Sequence, residues 1–160
     1  MKVRKAFALL LVVIFTFCGL CCCKGEESLT VAQISKDLSE LCLKNADTYA
    51  VSKADIENRF NFDGNLLDES SVRLCDTEEK YLCVAVFNLK DNNNRQTVID
   101  GISSTLKVTA ASFSVLYKSE YEKIQHRLFY EYEDIIIFVV ADDYLSCEKY
   151  LREIGASPIA

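Results

Sequence analysis

The chain has 160 residues, half of them hydrophobic, with 24 acidic side chains against 18 basic ones, a single histidine and a formal net charge of −6. That length supports one domain with a real core and not two. An acidic surface is repelled by nucleic-acid phosphates and by anionic lipid headgroups, which argues against nucleic-acid binding and against membrane attachment through a basic patch.

Met1 to Lys5 is basic, Ala6 to Leu20 is an apolar run, and Cys21, Cys22 and Cys23 precede the polar Lys24-Gly25-Glu26-Glu27. A basic head, a short greasy middle and small residues before a cut make a secretory signal peptide. The run is shorter than the roughly 20 residues a membrane-crossing helix needs. Leu20-Cys21-Cys22-Cys23 is similar to a bacterial lipobox, in which the cysteine thiol takes diacylglycerol, the preceding peptide is removed and the cysteine becomes the first residue. Cys23 is the expected lipidation site, with Cys22 and Cys21 as alternatives. The expected organisation is a leader over 1–22, a tether over 23–29 and one domain over 30–160. Lys2, Arg4 and Lys5 leave with the leader and no acid does, so the mature chain is more acidic still. Acyl chains contribute about 0.8 kcal/mol per buried methylene, enough to hold such a domain at a membrane.

Thr30 and Gln33 form a capping-box pattern, and Val31, Ile34, Leu38 and Leu41 then recur at helical spacing, which predicts a helix over 31–43. Ser52 with Asp55 predicts the cap of a shorter helix with Ile56 and Phe60 inward. A short strand is expected over 72–75 and a stronger one over 81–87, whose unbroken apolar character predicts cover on both faces. Asp91 to Asn94 supply a cap for a long helix over 95–113, which Gly101 weakens modestly. A helical turn or two follows over 120–125. Strands over 127–132 and 135–141 meet at a tight Glu133-Asp134 turn, and Ile135 to Val140 is the most hydrophobic run after the leader, a central strand. Asp142 or Asp143 caps a last helix over 144–154, which Gly155 and Pro158 stop. Paired strands with helices between them predict an α+β fold: a single, mostly antiparallel sheet of about four strands with helices packed on it.

The ordered set Val84-Ala85-Val86-Phe87, Lys90-Asp91, Phe113, Tyr117, Tyr121, Ile124 and Ile136 to Asp143 resembles an uncharacterised lipoprotein family of Gram-positive bacteria, a domain of unknown function. The resemblance spans roughly Thr30 to Ile154. It implies a lipid-anchored domain on the outer face of the cytoplasmic membrane and supplies no reaction, ligand or catalytic residue. The chain departs from that family's pattern at Cys22, where glycine or alanine is usual, and at Glu133-Asp134, where a turn with glycine or asparagine is.

Beyond the leader, Cys42, Cys75, Cys83 and Cys147 have no Cys-x-x-Cys spacing and one histidine among them, which argues against zinc. Buried free thiols are the expected state, with a Cys75–Cys83 disulfide across a hairpin as the alternative in an exported protein. Asp91 to Asn94 suggests a calcium loop, but Gln96 and Ile102 stand where the EF-hand pattern needs glycine and glutamate. His126 has no Gly-x-Ser-x-Gly elbow or cysteine-protease context to work with. Asp142 and Asp143 end a central strand, a place for either a helix cap or a ligand. Phe113, Tyr117 and Tyr121, four residues apart, form an aromatic stripe that serves either as core or as a partner surface. The candidate binding surface is therefore Phe113, Tyr117, Tyr121, Asp142 and Asp143. No catalytic residue, metal or cofactor is expected beyond the acyl lipid. The expected function is a non-catalytic binding or accessory module for a cell-envelope protein. A small-solute-binding lipoprotein serving a transporter is the alternative, set back by the usual need of such receptors for two domains.

Overall fold

The computed structural model describes residues 28–159. The leader, Cys21, Cys22, Cys23 and most of the tether lie outside the described residues. Five helices and six strands follow in order: α1 Val31–Cys42, β1 Tyr49–Ala50, α2 Ile56–Phe60, β2 Leu67–Asp76, β3 Tyr81–Leu89, α3 Arg95–Phe113, α4 Lys118–Gln125, β4 Leu128–Tyr132, β5 Ile135–Val140, α5 Tyr144–Glu153 and β6 Ser157–Pro158. The fold is α+β around one sheet in the order β1-β2-β3-β5-β4-β6, every pairing antiparallel.

The sheet is wider than the four strands expected. The two additions, β1 and β6, are two-residue edge strands, too short to leave any period-2 pattern in the sequence. β2 also begins at Leu67, earlier than expected, because its first half carries Asp68, Glu69 and Ser70 on a sheet margin that tolerates polar side chains. Since β3 and β4 both run antiparallel to β5, they are parallel to each other, and α3 with α4 forms the crossover of a split β-α-β unit.

Alternation along β3 and β5 divides the core in two. Tyr81, Cys83, Ala85, Phe87, Ile136, Phe138 and Val140 pack with α2, α3 and α4 on one face. Leu82, Val84, Val86, Ile135, Ile137 and Val139 pack with α1 and α5 on the other. All of β5 and β3 up to Phe87 are buried, which accounts for their unbroken apolar runs. On the first face Phe60, Phe62 and Phe87 meet edge-on or tilted, with centroids 5.5 Å apart for each pair that includes Phe87.

The caps follow the local sequence with two exceptions, Ser52 and the Asp91-to-Asn94 segment, where Asp91 caps a 3-10 turn over Asn92–Asn94 and Asn94 gives α3 no side-chain cap. Thr30 accepts from the Gln33 amide at 3.2 Å while Gln33 accepts from the Thr30 amide at 3.0 Å, a complete capping box. Asp91 accepts from the Asn93 amide and Asp143 from the Ser146 amide. Ser52 caps no backbone amide; its hydroxyl donates to Asp55 at 2.6 Å, and a 3-10 turn over Lys53–Asp55 precedes α2. Gly101 is a packing requirement rather than a weak point: a Cβ there would stand 2.7 Å from the Phe60 carbonyl, so its absence lets α3 sit against the end of α2.

A Cys75–Cys83 disulfide is incompatible with the register. Cys75 lies opposite Leu82, and Cys83 opposite Leu74. One residue of offset sends the two thiols to opposite faces: Cys83 belongs to the α2–α3–α4 side and Cys75 to the α1–α5 side. All four cysteines of the described residues carry free thiols.

Candidate functional site

α1 runs alongside β2, with Ser35 bonded to Ser71 and the residues after the helix reaching Thr48 and Arg73. Its start lies toward the Leu67 end of the sheet. α3 leaves β3 at that same end and runs the length of the sheet, finishing near Asp76 and Tyr81. A cleft of about 560 Å³ opens there, between the end of α2, the last turns of α3 and the β2–β3 turn.

Several elements build it. The turn is closed by the Thr77 amide donating to the Lys80 carbonyl at 2.9 Å and by Thr77 Oγ1 accepting from the Lys80 amide at 3.0 Å. It places Tyr81 as the first residue of β3, pointing to the α3 face with Leu74 beside it. Thr105, Thr109, Ser112 and Phe113 recur at helical spacing along α3, and Leu116 and Tyr117 complete the wall. Phe113 and Tyr117 meet edge to face with centroids 6.0 Å apart. The floor is aromatic and the rim is hydroxyl and carboxylate. On the lip, Leu116 is 78% exposed and its neighbour Val115 is 84% exposed.

At the other rim lie Arg59 and Asp76, and Tyr49, outside the cleft, also bonds Asp76. Arg59 Nη1 donates to Asp76 Oδ2 at 2.6 Å, the Tyr49 hydroxyl donates to Asp76 Oδ1 at 2.7 Å, and the guanidinium lies 5.7 Å above the Tyr49 ring. Partial burial, then the hydrogen bond to Asp76, pushes the Tyr49 phenol up to about 12. Burial pushes Tyr81 well above its ordinary value. Both phenols are neutral near neutral pH and act as hydrogen-bonding groups rather than bases. The Thr109 and Ser112 hydroxyls donate back to carbonyls of their own helix. The guanidinium has more N–H donors than its single carboxylate consumes. Chemically, the site offers aromatic and aliphatic contact with polar groups around it, and neither histidine nor cysteine lines it.

The five residues of the expected surface do not form one surface. Phe113 and Tyr117 line the cleft, with Phe113 mostly buried. Tyr121 is turned away from it and lines a separate hollow with Leu106, Ala110 and Arg127. The reason is the break at Ser114 to Tyr117, which ends the helical repeat that would have aligned the three rings. Asp143 is a helix cap, its second oxygen accepting from the Ser146 hydroxyl at 2.7 Å. Asp142 is an ion-pair partner. It binds Lys123 at 2.6 Å and Lys80 at 3.5 Å. Partial burial opposes the charge on Asp142, but Lys123 and then Lys80 hold its carboxyl below the usual range. Lys123 also holds Glu120 at 2.8 Å, and Glu120 in turn accepts from the Tyr81 amide at 3.0 Å. Asp142 thus braces the cleft from behind without lining it.

His126 is exposed and stacks on Tyr144, 4.9 Å away and 6° from parallel. Arg59, Asp76, Tyr81 and Tyr49 escaped the sequence reading. They come from four separate elements, and only the Asp76-to-Lys80 turn carried a local signal. Among the described residues no cluster of histidine, cysteine and carboxylate side chains could hold a metal ion, and no helix is long and apolar enough to cross a membrane. In comparisons with known proteins, no family model, no curated protein and no solved structure matches the chain.

Proposed function

We propose that the protein is a lipid-anchored extracytoplasmic module that binds a cell-envelope protein through the cleft at the Asp76 and Tyr81 end of its sheet. The observation that carries this reading is the pairing of exposed Val115 and Leu116 with an aromatic floor. Large apolar side chains in water at the edge of a recess are what a partner surface presents. The leader and the Leu20-to-Cys23 pattern support the anchor. α1, the first described helix, starts at the end of the sheet away from the cleft, which leaves the cleft clear of the point where the described chain begins.

The test is photo-crosslinking on intact cells from a probe at Thr109. A defined set of envelope proteins is expected, lost on Leu116→Asp with Tyr117→Ala and kept on Tyr121→Ala. Recovery of the same set from the doubly substituted chain overturns the assignment. A small-solute receptor is the second reading, because the cleft volume falls in the range of about 300–1,000 Å³ typical of ligand pockets. It predicts a thermal shift with one class of sugar or amino acid, abolished by Arg59→Ala.

A further inference from the structure

Cys42 ends α1 and Cys147 lies in the first turn of α5, and these two helices pack side by side on the sheet face that carries the aliphatic core. They run antiparallel. Tyr150 of α5 donates to Asp37 of α1 at 3.0 Å. Cys42 stands five residues on from Asp37 along α1 and Cys147 three residues back from Tyr150 along α5, so both lie at the same end of the helix pair. Cys147 lies inside the aliphatic cluster that the two helices share, and Cys42 packs against that same cluster. Cys147 is fully buried and Cys42 half-buried, its S–H donating to the Leu38 carbonyl at 2.7 Å. The contact with Cys42 lowers the Cys147 pKa and raises that of Cys42, and a helix N-terminus also favours a thiolate at Cys147.

From this juxtaposition we propose that Cys42 and Cys147 are a dithiol–disulfide pair that locks α1, the helix joined to the tether, onto α5. The oxidant is a disulfide, either that of an exported oxidoreductase or oxidised glutathione. Cys42, the accessible thiol, gives up its proton to the departing sulfur as it attacks the other sulfur of the oxidant, forming a mixed disulfide and releasing one thiol. The Cys147 thiolate then attacks the Cys42 sulfur, the intramolecular S–S bond forms and the second thiol leaves. The two protons of Cys42 and Cys147 end on the two departing thiols, and the two electrons reduce the oxidant disulfide. The lock is oxidised in the cell only if the extracytoplasmic address proposed above holds, because that compartment sustains disulfides; the pairing itself does not depend on the address.

The experiment uses the full chain, extracted in detergent, treated with oxidised glutathione, alkylated under denaturing conditions and mapped by peptide mass. The expected product joins the Cys42 and Cys147 peptides with the loss of two hydrogens, leaves Cys75 and Cys83 alkylated and raises Tm. Cys147→Ala should strand glutathione on Cys42, an adduct that does not accumulate in the unsubstituted chain. Cys42→Ala should leave Cys147 alkylatable. If the unsubstituted chain keeps both thiols free, links Cys42 to Cys75 or accumulates the same adduct, the pairing is overturned. A chain that closes the bond with glutathione, yet comes from cells reduced and with its leader uncut, supports the pair and overturns the address.

Discussion

The two faces of the sheet are made by the same strands and have opposite characters. The α2–α3–α4 face is aromatic, with Phe60, Phe62, Tyr81, Phe87, Phe113 and Phe138, and it opens into the cleft at one end. The α1–α5 face is aliphatic, with Ile34, Leu38, Val84, Val86, Ile137 and Leu151, and it holds the neighbouring thiols Cys42 and Cys147. Large flat rings joining at angles leave recesses that branched aliphatic side chains fill. One face therefore opens into a recess at its end, and the other joins two helices side by side.

The most direct way to break this comparison is to empty each face in turn. Phe87→Ala removes the ring that both Phe60 and Phe62 pack against, and should cost about 3–5 kcal/mol in chemical denaturation. Ile137→Val, on the aliphatic face, should cost only about 0.5–1.5 kcal/mol, because close-packed neighbours collapse on a single lost methylene. A Phe87→Ala loss no larger than that of Ile137→Val would mean that Phe87 does not hold the aromatic cluster together. Reducing the bond expected between Cys42 and Cys147 should cost about 2–4 kcal/mol, since it closes a long loop of the unfolded chain; no change in denaturation midpoint with reductant would remove that asymmetry. Gly101→Ala should destabilise by about 1–3 kcal/mol through the clash with the Phe60 carbonyl, although alanine is the better helix former.

Smaller effects test the brace behind the cleft. The Asp142 carboxyl titrates below its unfolded value, so its ion pairs contribute fully above the unfolded pKa and are lost as pH falls through the folded one. Asp142→Asn should flatten that acid limb of the stability profile. The side chain is more than half exposed, so solvent screening leaves at most about 1 kcal/mol at neutral pH. An unchanged acid limb would show that Lys123 is held by Glu120 alone. The smallest effect concerns the hairpin that joins β4 to β5. Glu133 has φ of 52°, a left-handed conformation that costs a side chain about 1–2 kcal/mol. Glu133→Gly should stabilise by less than about 1 kcal/mol once glycine's own entropy cost is counted.

Much of the architecture was legible because it is local. The capping box at Thr30, the α3 stripe of Val98, Ile102 and Leu106, and the apolar runs of β3 and β5 each report a period or a cap within a few residues. The edge strands were not legible, because β1 and β6 exist only where another strand offers free backbone groups. The candidate site was half legible: Phe113 and Tyr117 line the cleft, while Tyr121 is carried away from it by the expected break after α3, whose direction the spacing of the rings does not show.

By itself the sequence determined the α+β class, the two-sided burial of the central strands and the end of nearly every helix, because propensity, period and capping act over a few residues. Only the tertiary structure decided which cysteines meet and which part ways. Cys75 and Cys83 are near in sequence but separated by the pleat, whereas Cys42 and Cys147 are distant in sequence and joined by two helices crossing one sheet face. It also decided that Arg59, Asp76 and Tyr81 line one cleft, with Tyr49 hydrogen-bonded to Asp76. Such meetings depend on strand order and helix packing, quantities that belong to the whole chain and leave no trace in any short stretch of it.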